Sequence, residues 1–504
     1  MTRLGFLLDS ETCIGCHACT VACKSEHDIP LGVNRTWVKY IEKGEFPDTA
    51  RHFSVMRCNQ CENAPCMDIC PTSALFRAPN GVVDFDDNSC IGCKGCMNAC
   101  PYDAIYINPE TNTANKCNFC NHRVEVGLEP SCVVVCPTHS IKVVDFDDAD
   151  NEALGILRRE HLAVRSPEQG TAPKVYYRGA DEASLDPLRT AIRGDGLIWA
   201  DVTPDHPTPP TDEADLIART TYTTAHITTW KAKVSGYLVT KAIAAGIMFF
   251  ASLMVLLGHA DQTAKVGFVP GLLGALFLLV TGILLVADLK KPTRFHLVLT
   301  RGNTSSWLVR GAYILGIYAV SLGGWLLAAL IESSQILSVL AVPVAVLAAC
   351  TAGYTAFLFG QCEGRDLWQS RILLPMLLVQ AVAAGGSVWL ISDVLVGMPE
   401  PTVVRWITIG ALTASGILVL LEVFGDHSPH VAMAVRSMTR GDQRKLFLTG
   451  VLGGLILPII LLAGSLLFDS AATTLSFVAG ASALVGMWSY EHSYVLAGQS
   501  VPLS

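Results

Sequence analysis

Charge is scarce in this chain, and scarcest where hydrophobic residues run longest. Only 16% of its 504 residues are charged while 51% are hydrophobic, and the mean hydropathy is +0.41. A soluble domain usually carries about a quarter of its residues charged, so this composition excludes both a disordered chain and a single soluble enzyme. Cysteine all but stops after Cys136: sixteen of the 18 lie between Cys13 and Cys136, and only Cys350 and Cys362 follow. That asymmetry excludes a small disulfide-stapled secreted domain. No Lys/Arg stripe with interleaved aromatics occurs, which argues against nucleic acid as a partner. Histidine is missing from the middle of every long apolar run, since His226, His259, His296, His427, His430 and His492 fall in loops or near run ends. A b-type haem crossing a bilayer needs axial ligands, commonly paired histidines on facing helices, so no haem is expected. The first eleven residues, MTRLGFLLDSE, offer one basic residue, a short apolar patch and no small-residue cleavage site, and no export signal is expected.

What is present divides into two unlike halves. Residues 1–150 hold 12 Lys and Arg against 20 Asp and Glu, residues 151–230 hold 8 against 12, and residues 231–504 hold 16 against 12. An acidic, cysteine-rich head on a mildly basic apolar tail suggests a soluble module held at a membrane.

The sixteen cysteines fall into four groups of four. Cys13, Cys16, Cys19 and Cys23, and again Cys90, Cys93, Cys96 and Cys100, follow C-x2-C-x2-C-x3-C. Cys58, Cys61, Cys66 and Cys70 widen the middle gap, and Cys117, Cys120, Cys132 and Cys136 carry an eleven-residue insert before the third cysteine. Pro71, Pro101 and Pro137 follow three of the groups. The x2 spacings let a tight loop wrap three thiolates around one cubane, while the fourth, on a following helical turn, reaches the neighbouring cluster. Zinc usually takes two C-x2-C pairs separated by a longer loop, and cysteines this close together rarely bridge as disulfides. Sixteen thiolates so spaced fit four 4Fe-4S clusters. A cluster passes single electrons and has no substrate cavity of its own, so four of them make a wire and not a catalytic site.

These motifs, CIGCHACTVACK, CNQCENAPCMDICPTSAL, CIGCKGCMNACPYDAI and KCNFCNHRVEVGLEPSCVVVCPTHSI, resemble the four-cluster ferredoxin subunit of dimethyl-sulfoxide-reductase-type molybdenum and tungsten enzymes over about residues 1–145. The resemblance implies nested ligation, first group with fourth and second with third. Cys13, Cys16, Cys19 and Cys136 would hold one cluster, and Cys117, Cys120, Cys132 and Cys23 its neighbour. Cys58, Cys61, Cys66 and Cys100 would hold a third, and Cys90, Cys93, Cys96 and Cys70 the last. Cys93 occupies the position that some relatives replace to make a 3Fe-4S centre, so four cubanes are expected.

Residues 150–234 are acidic, lack cysteine and include HPTPPTDEAD at His206–Asp215. Closely spaced prolines favour an extended segment, and this stretch reads as a tether. Beyond it, uncharged stretches run Ala242–Ala260, Val266–Ala287, Gly311–Ile331, Ser333–Cys362, Ile372–Ser392, Trp406–Leu421, Leu446–Phe468 and Ser470–Tyr490. Each is near the roughly 20 residues that cross a hydrocarbon core. The fold expected is therefore multidomain: a ferredoxin-like α+β domain over residues 1–149, the tether, and an all-α bundle of eight transmembrane helices over residues 235–504.

An even number of spans places the head, the even-numbered inter-helix loops and the carboxyl terminus on one side. Those loops carry Lys290, Lys291, Arg294, Arg301, Arg310, Arg365, Arg371, Arg436, Arg440, Arg444 and Lys445, against Lys265 and Arg405 opposite. By the positive-inside rule the head faces the cytoplasm from the cytoplasmic membrane. LVADLKKPTRFHLVLTRGNTSSWLVRGAYIL (Leu285–Leu315) and FGQCEGRDLWQSRILLPMLL (Phe359–Leu378) resemble the eight-helix, quinone-reactive NrfD-like anchors of polysulfide reductase. Wire and anchor are usually separate chains in such relatives, and here they read as one.

Ionisable groups at span depth are expensive and functional by default. On the head side the ionisable or hydrogen-bonding residues are Tyr237, Lys241, Asp288, Arg294, Tyr354, Gln361, Glu422, His427, Glu491 and His492. They are the candidates for a quinone site, whose chemistry couples two electrons to two protons. Asp288 ranks first because the resemblance implies an acidic residue from that region. Bland readings stand beside each: Lys241 snorkelling, Asp288 pairing with Arg294, Glu422 capping a helix. Cys350 and Cys362 read as plain membrane thiols. The resemblances together imply the iron-sulfur and membrane subunit of a quinone-linked oxidoreductase, with a bis-pterin molybdenum or tungsten catalytic partner acting on sulfite or another sulfur or arsenic oxyanion. The alternatives are a subunit of an alternative-complex-III-like or hydrogenase-type complex, and a non-catalytic anchor without quinone.

Overall fold

The computed structural model describes residues 3–504 apart from 46, 193–197, 200–217 and 225–226. The proline-bearing stretch His206–Asp215 and His226 lie outside the described residues. In the head, Leu4–Asp9 is the central strand of a three-stranded sheet, antiparallel to Ile141–Asp145 and parallel to Val175–Arg178. A long hairpin, Thr36–Glu45 with Asp48–Arg57, forms a second sheet with Ala218–Thr223 antiparallel on its flank. Two short hairpins, Leu75–Arg77 with Val83–Phe85 and Ile105–Ile107 with Ala114–Lys116, complete the α+β arrangement around the cysteine loops.

The expected tether is corrected for its described residues. Glu152–Arg159 is a helix capped by the Asn151 side chain, Val175–Arg178 pairs with the first strand, and Ala218–Thr223 pairs with the hairpin. Composition misled because the partners of these short strands lie far away in sequence: Val175 stands beside Phe6, and Ala218 beside Lys43.

The tail contains eight helices long and apolar enough to cross a membrane, at Ala232–His259, Thr263–Asp288, Trp307–Leu330, Ser334–Gly360, Leu373–Val396, Pro401–Phe424, Arg444–Leu467 and Asp469–Gly498. In the first and fifth, 67% of the most apolar window is buried inside the protein, against 28% in the second, third and seventh. The first and fifth spans thus form the centre, and the others present side chains such as Val320, Val339 and Leu421 to lipid. The closeness of the central pair rests on Gly246 and Gly385, where an added Cβ would overlap the facing backbone. Small residues permit such approach where lipid removes the hydrophobic drive for helix association.

Candidate functional site

The cysteine loops share one local geometry. Gly15 and Gly92, each preceding the second cysteine of its group, have φ of +69° and +67°, and the residues after that cysteine, His17 and Lys94, are also left-handed. Ser73, Asp103 and His139, three positions beyond the last cysteine of three groups, repeat the conformation. Left-handed residues reverse the backbone within one turn, and Ala114 N, from the neighbouring strand Ala114–Lys116, donates to Cys90 Sγ at 3.3 Å.

The fold gathers the thiols across groups. Cys13 feels the charge of Cys136 and Cys16, and Cys19 that of Cys13. Cys23 lies among Cys117, Cys132 and Cys120. Cys66 neighbours Cys100, Cys58 and Cys61, while Cys96 neighbours Cys93, Cys90 and Cys70. Burial, with neighbouring thiols adding to it, pushes Cys61 and Cys93 up to about 12 and Cys19 and Cys120 up to about 11. Bare thiolates cannot be kept together there without cationic charge, which iron supplies. Among the described residues no three His, Cys, Asp or Glu side chains converge tightly enough for one metal ion. A cubane fits better, because its ligands stand at separate corners of a larger core. His27 Nε2 lies 3.2 Å from Cys120 Sγ, and burial lowers that histidine to about 4.

Where the head meets the spans lies an apolar cavity of about 280 Å³. Its walls include Cys93 and Ile91 from the head, Trp230, Val234 and Tyr237 at the first span, Leu285 and Asp288 at the end of the second, and Tyr354 on the fourth. Asp288 pairs with Lys94 of the cysteine loop at 2.7 Å and not with Arg294, which donates instead to the Asp87 and Cys90 carbonyls at 2.6 and 3.1 Å. Lys241 stands just behind the wall, buried, 4.7 Å from the centroid of the Tyr354 ring, donating to the Ala352 carbonyl at 3.0 Å and to the Thr355 hydroxyl. Thr355 also lies beside Tyr237, so its hydroxyl stands between the cavity wall and the buried Lys241 amine.

The other candidates are not on this wall. Gln361 holds the start of the third span, accepting from Trp307 N at 2.8 Å and donating to the Ser305 carbonyl at 2.9 Å. Glu422 accepts from the Ser370 hydroxyl at 2.7 Å, and His427 Nε2 is buried without a hydrogen-bond partner. Glu491 is buried beside Gln380, and His492 meets the Ser235 hydroxyl at 2.8 Å while stacking on Trp488.

Three participants escape sequence reasoning. Lys94 sits between two cysteines, where a motif reading assigns it no role. Trp230 Nε1 donates to the Cys93 carbonyl at 3.2 Å, and its ring stacks with Phe359 and Trp368. Gln499 braces Trp230, accepting from its N–H at 3.0 Å and donating to its carbonyl at 2.8 Å. An aromatic just outside a span was the one available signal, and it suggests only an interfacial anchor. Cys350 is exposed on its span, whereas Cys362 is buried at the joint of head and spans.

Comparisons with known proteins follow the same division. Residues 49–146 match the 4Fe-4S dicluster domain, and residues 222–502 match the family described as polysulphide reductase, NrfD. A tetrathionate reductase subunit of Salmonella typhimurium is 40% identical over 204 residues, 40% of this chain and 81% of the relative. A polysulfide reductase polypeptide of Wolinella succinogenes is 39% identical over 179 residues, 34% of this chain and 93% of the relative. The iron-sulfur subunit of an arsenate respiratory reductase of Shewanella sp. is 31% identical over 225 residues, 35% of this chain and 95% of the relative. With its eight apolar helices matched over more than half the chain, this protein belongs to the polysulphide reductase NrfD family, its membrane anchor continuous with an electron-transferring 4Fe-4S head.

Proposed function

We propose that the chain holds four 4Fe-4S clusters in the nested arrangement and passes electrons between a molybdenum or tungsten catalytic partner and quinone bound in the cavity beneath Cys93. The clusters supply one-electron relays, with potentials set by charge and hydrogen bonds around their sulfurs. The observation that carries the quinone reading is the cavity itself: one apolar chamber has a cluster-loop cysteine on one wall and a carboxylate and two phenols on the others. An apolar site with a few convergent polar groups suits a quinone ring, and Asp288 and Tyr237 are placed to exchange its protons. The partner's substrate is a sulfur or arsenic oxyanion, the chemistry named for two of the relatives. The basic residues of the loops around the head support a cytoplasmic face of the cytoplasmic membrane for it, by the positive-inside rule.

The test is Asp288→Asn in the purified complex. Removing a general acid or base typically costs about 10²–10⁴-fold, so quinone turnover should fall by about 10²-fold or more while iron content and reduction of the clusters by the partner persist. Unaltered quinone turnover would defeat the site. Metal analysis of the same complex should find molybdenum or tungsten, and nickel or haem iron instead would defeat the partner.

A further inference from the structure

Arg57 ends the second hairpin strand one residue before Cys58, and it is fully buried. Its Nη1 donates to Cys132 Sγ at 3.3 Å, and its guanidinium lies 4.4 Å from the centroid of the Phe6 ring, which is itself stacked on Phe119. The charges it feels are those of Cys132, Cys117 and Cys19. Cys19 belongs to one thiol quartet and Cys117 and Cys132 to the next, so the cation stands between two quartets. Nε and Nη2 have no hydrogen-bond partner, and no described carboxylate pairs with the side chain.

Two other buried cations in the cysteine loops differ. Lys94 is compensated by Asp288, and Lys116 is held by the Val83 and Cys117 carbonyls. A buried guanidinium with idle donors is expensive unless something anionic receives them. A cubane with four thiolate ligands is anionic and gains one further negative charge on reduction.

We propose that Arg57 is a positioning residue shared by two clusters, donating from Nε and Nη2 to their sulfurs and holding their reduction potentials up. The inference rests on the cluster reading above. Its physical basis is that cluster potentials respond to net charge and to hydrogen bonds at sulfur. A fixed cation and its donors stabilise the reduced, more anionic core more than the oxidised one. Because a guanidinium stays protonated, the effect does not depend on pH.

The experiment is potentiometric titration of the clusters by electron paramagnetic resonance in the full-length chain, comparing wild type, Arg57→Met and Arg57→Lys. For Arg57→Met, at least one cluster should show a tenfold lower ratio of reduced to oxidised form at a fixed potential, equivalent to ~59 mV for a one-electron couple. Arg57→Lys should recover part of that loss, since it keeps the charge but not the fork of donors. Unchanged potentials in Arg57→Met with its iron retained would overturn the proposal. The wild type labelled with ¹⁵N-arginine gives an independent readout needing no variant. Pulsed resonance on a reduced cluster should detect arginine nitrogen coupling, and its absence would also overturn the proposal, even where Arg57→Met fails to assemble. Wild-type chain lacking cubane iron and sulfide would instead defeat the cluster reading beneath it.

Discussion

At the scale of single residues, the decisive contact is Lys94 with Asp288, a 2.7 Å ion pair whose members are 194 positions apart in sequence and whose side chains are 7% and 18% exposed. Removing one partner of a buried pair strands the other and costs about 3–5 kcal/mol, whereas replacing both with neutral groups is far milder. Lys94→Ala should therefore destabilise the joint of head and spans more than Lys94→Gln with Asp288→Asn does, as measured by the denaturant midpoint of the detergent-solubilised chain. Asp288 was legible in the sequence because a carboxylate ending an apolar span stands out. Lys94 was not, because nothing in CIGCKGC says which way its side chain turns; the left-handed backbone at Lys94, φ 64°, is a feature of the folded loop.

At the scale of elements, the head is held together by contacts between helices of different cysteine groups. Glu26, closing the helix Ala18–Glu26, accepts from Ser131 at 2.6 Å at the start of the helix Ser131–Val134, and also meets His122 and Arg123. The hydrogen bonds from Ser131 and His122, with Arg123 adding its charge, lower the Glu26 carboxyl from 4.5 to about 2. A carboxyl with a depressed folded-state value adds stability that is complete above its unfolded value and lost as pH falls through the folded one. Glu26→Gln should thus be less stable than wild type at neutral pH, with the gap closing between pH 4.5 and 2, as followed by bleaching of the cluster absorbance. In the tail the corresponding contact is Gly246 against Gly385. Gly246→Leu should force the central spans apart at a cost of about 1–3 kcal/mol or more, read as loss of monodisperse protein after extraction. The eight spans were legible because runs of that length have few soluble uses. Which two are central was not, since neighbours across a bundle leave no periodic trace in either helix.

At the scale of the whole molecule, the even-numbered loops carry the head. Lys290 and Lys291 donate backbone N–H groups to the Gly92 and Ile91 carbonyls, Asn303 donates to those of Pro71 and Cys70, and Arg165 reaches the Leu503 carbonyl at 2.6 Å. Arg294 directs its donors to head carbonyls at this joint, while Arg365 holds the carboxyl-terminal carbonyl of Val501, so Arg294 has a docking role besides any part in topology. The remaining basic residues still outnumber Lys265 and Arg405, and Arg405 itself is turned into the bundle toward Ser476 at 2.9 Å. A reporter fused after Ser504 should accordingly be active only in the cytoplasm, and activity only outside would reverse the assigned orientation. The two halves, the sixteen grouped thiols and the eight spans were all readable from the residues in order. Each depends on local spacing or on the length of an apolar run, and such features survive being read in one dimension. Three-dimensional packing settled that described parts of the supposed tether, Val175–Arg178 and Ala218–Thr223, pair into the head's sheets, that Trp230 and Gln499 link the cysteine loop to the anchor, and that Asp288, Tyr237 and Tyr354 share one cavity while Glu422 and His427 stand apart. Strand partnership, ion-pair choice and cavity walls are set by which surfaces exclude water together, and those surfaces come from segments up to hundreds of residues apart.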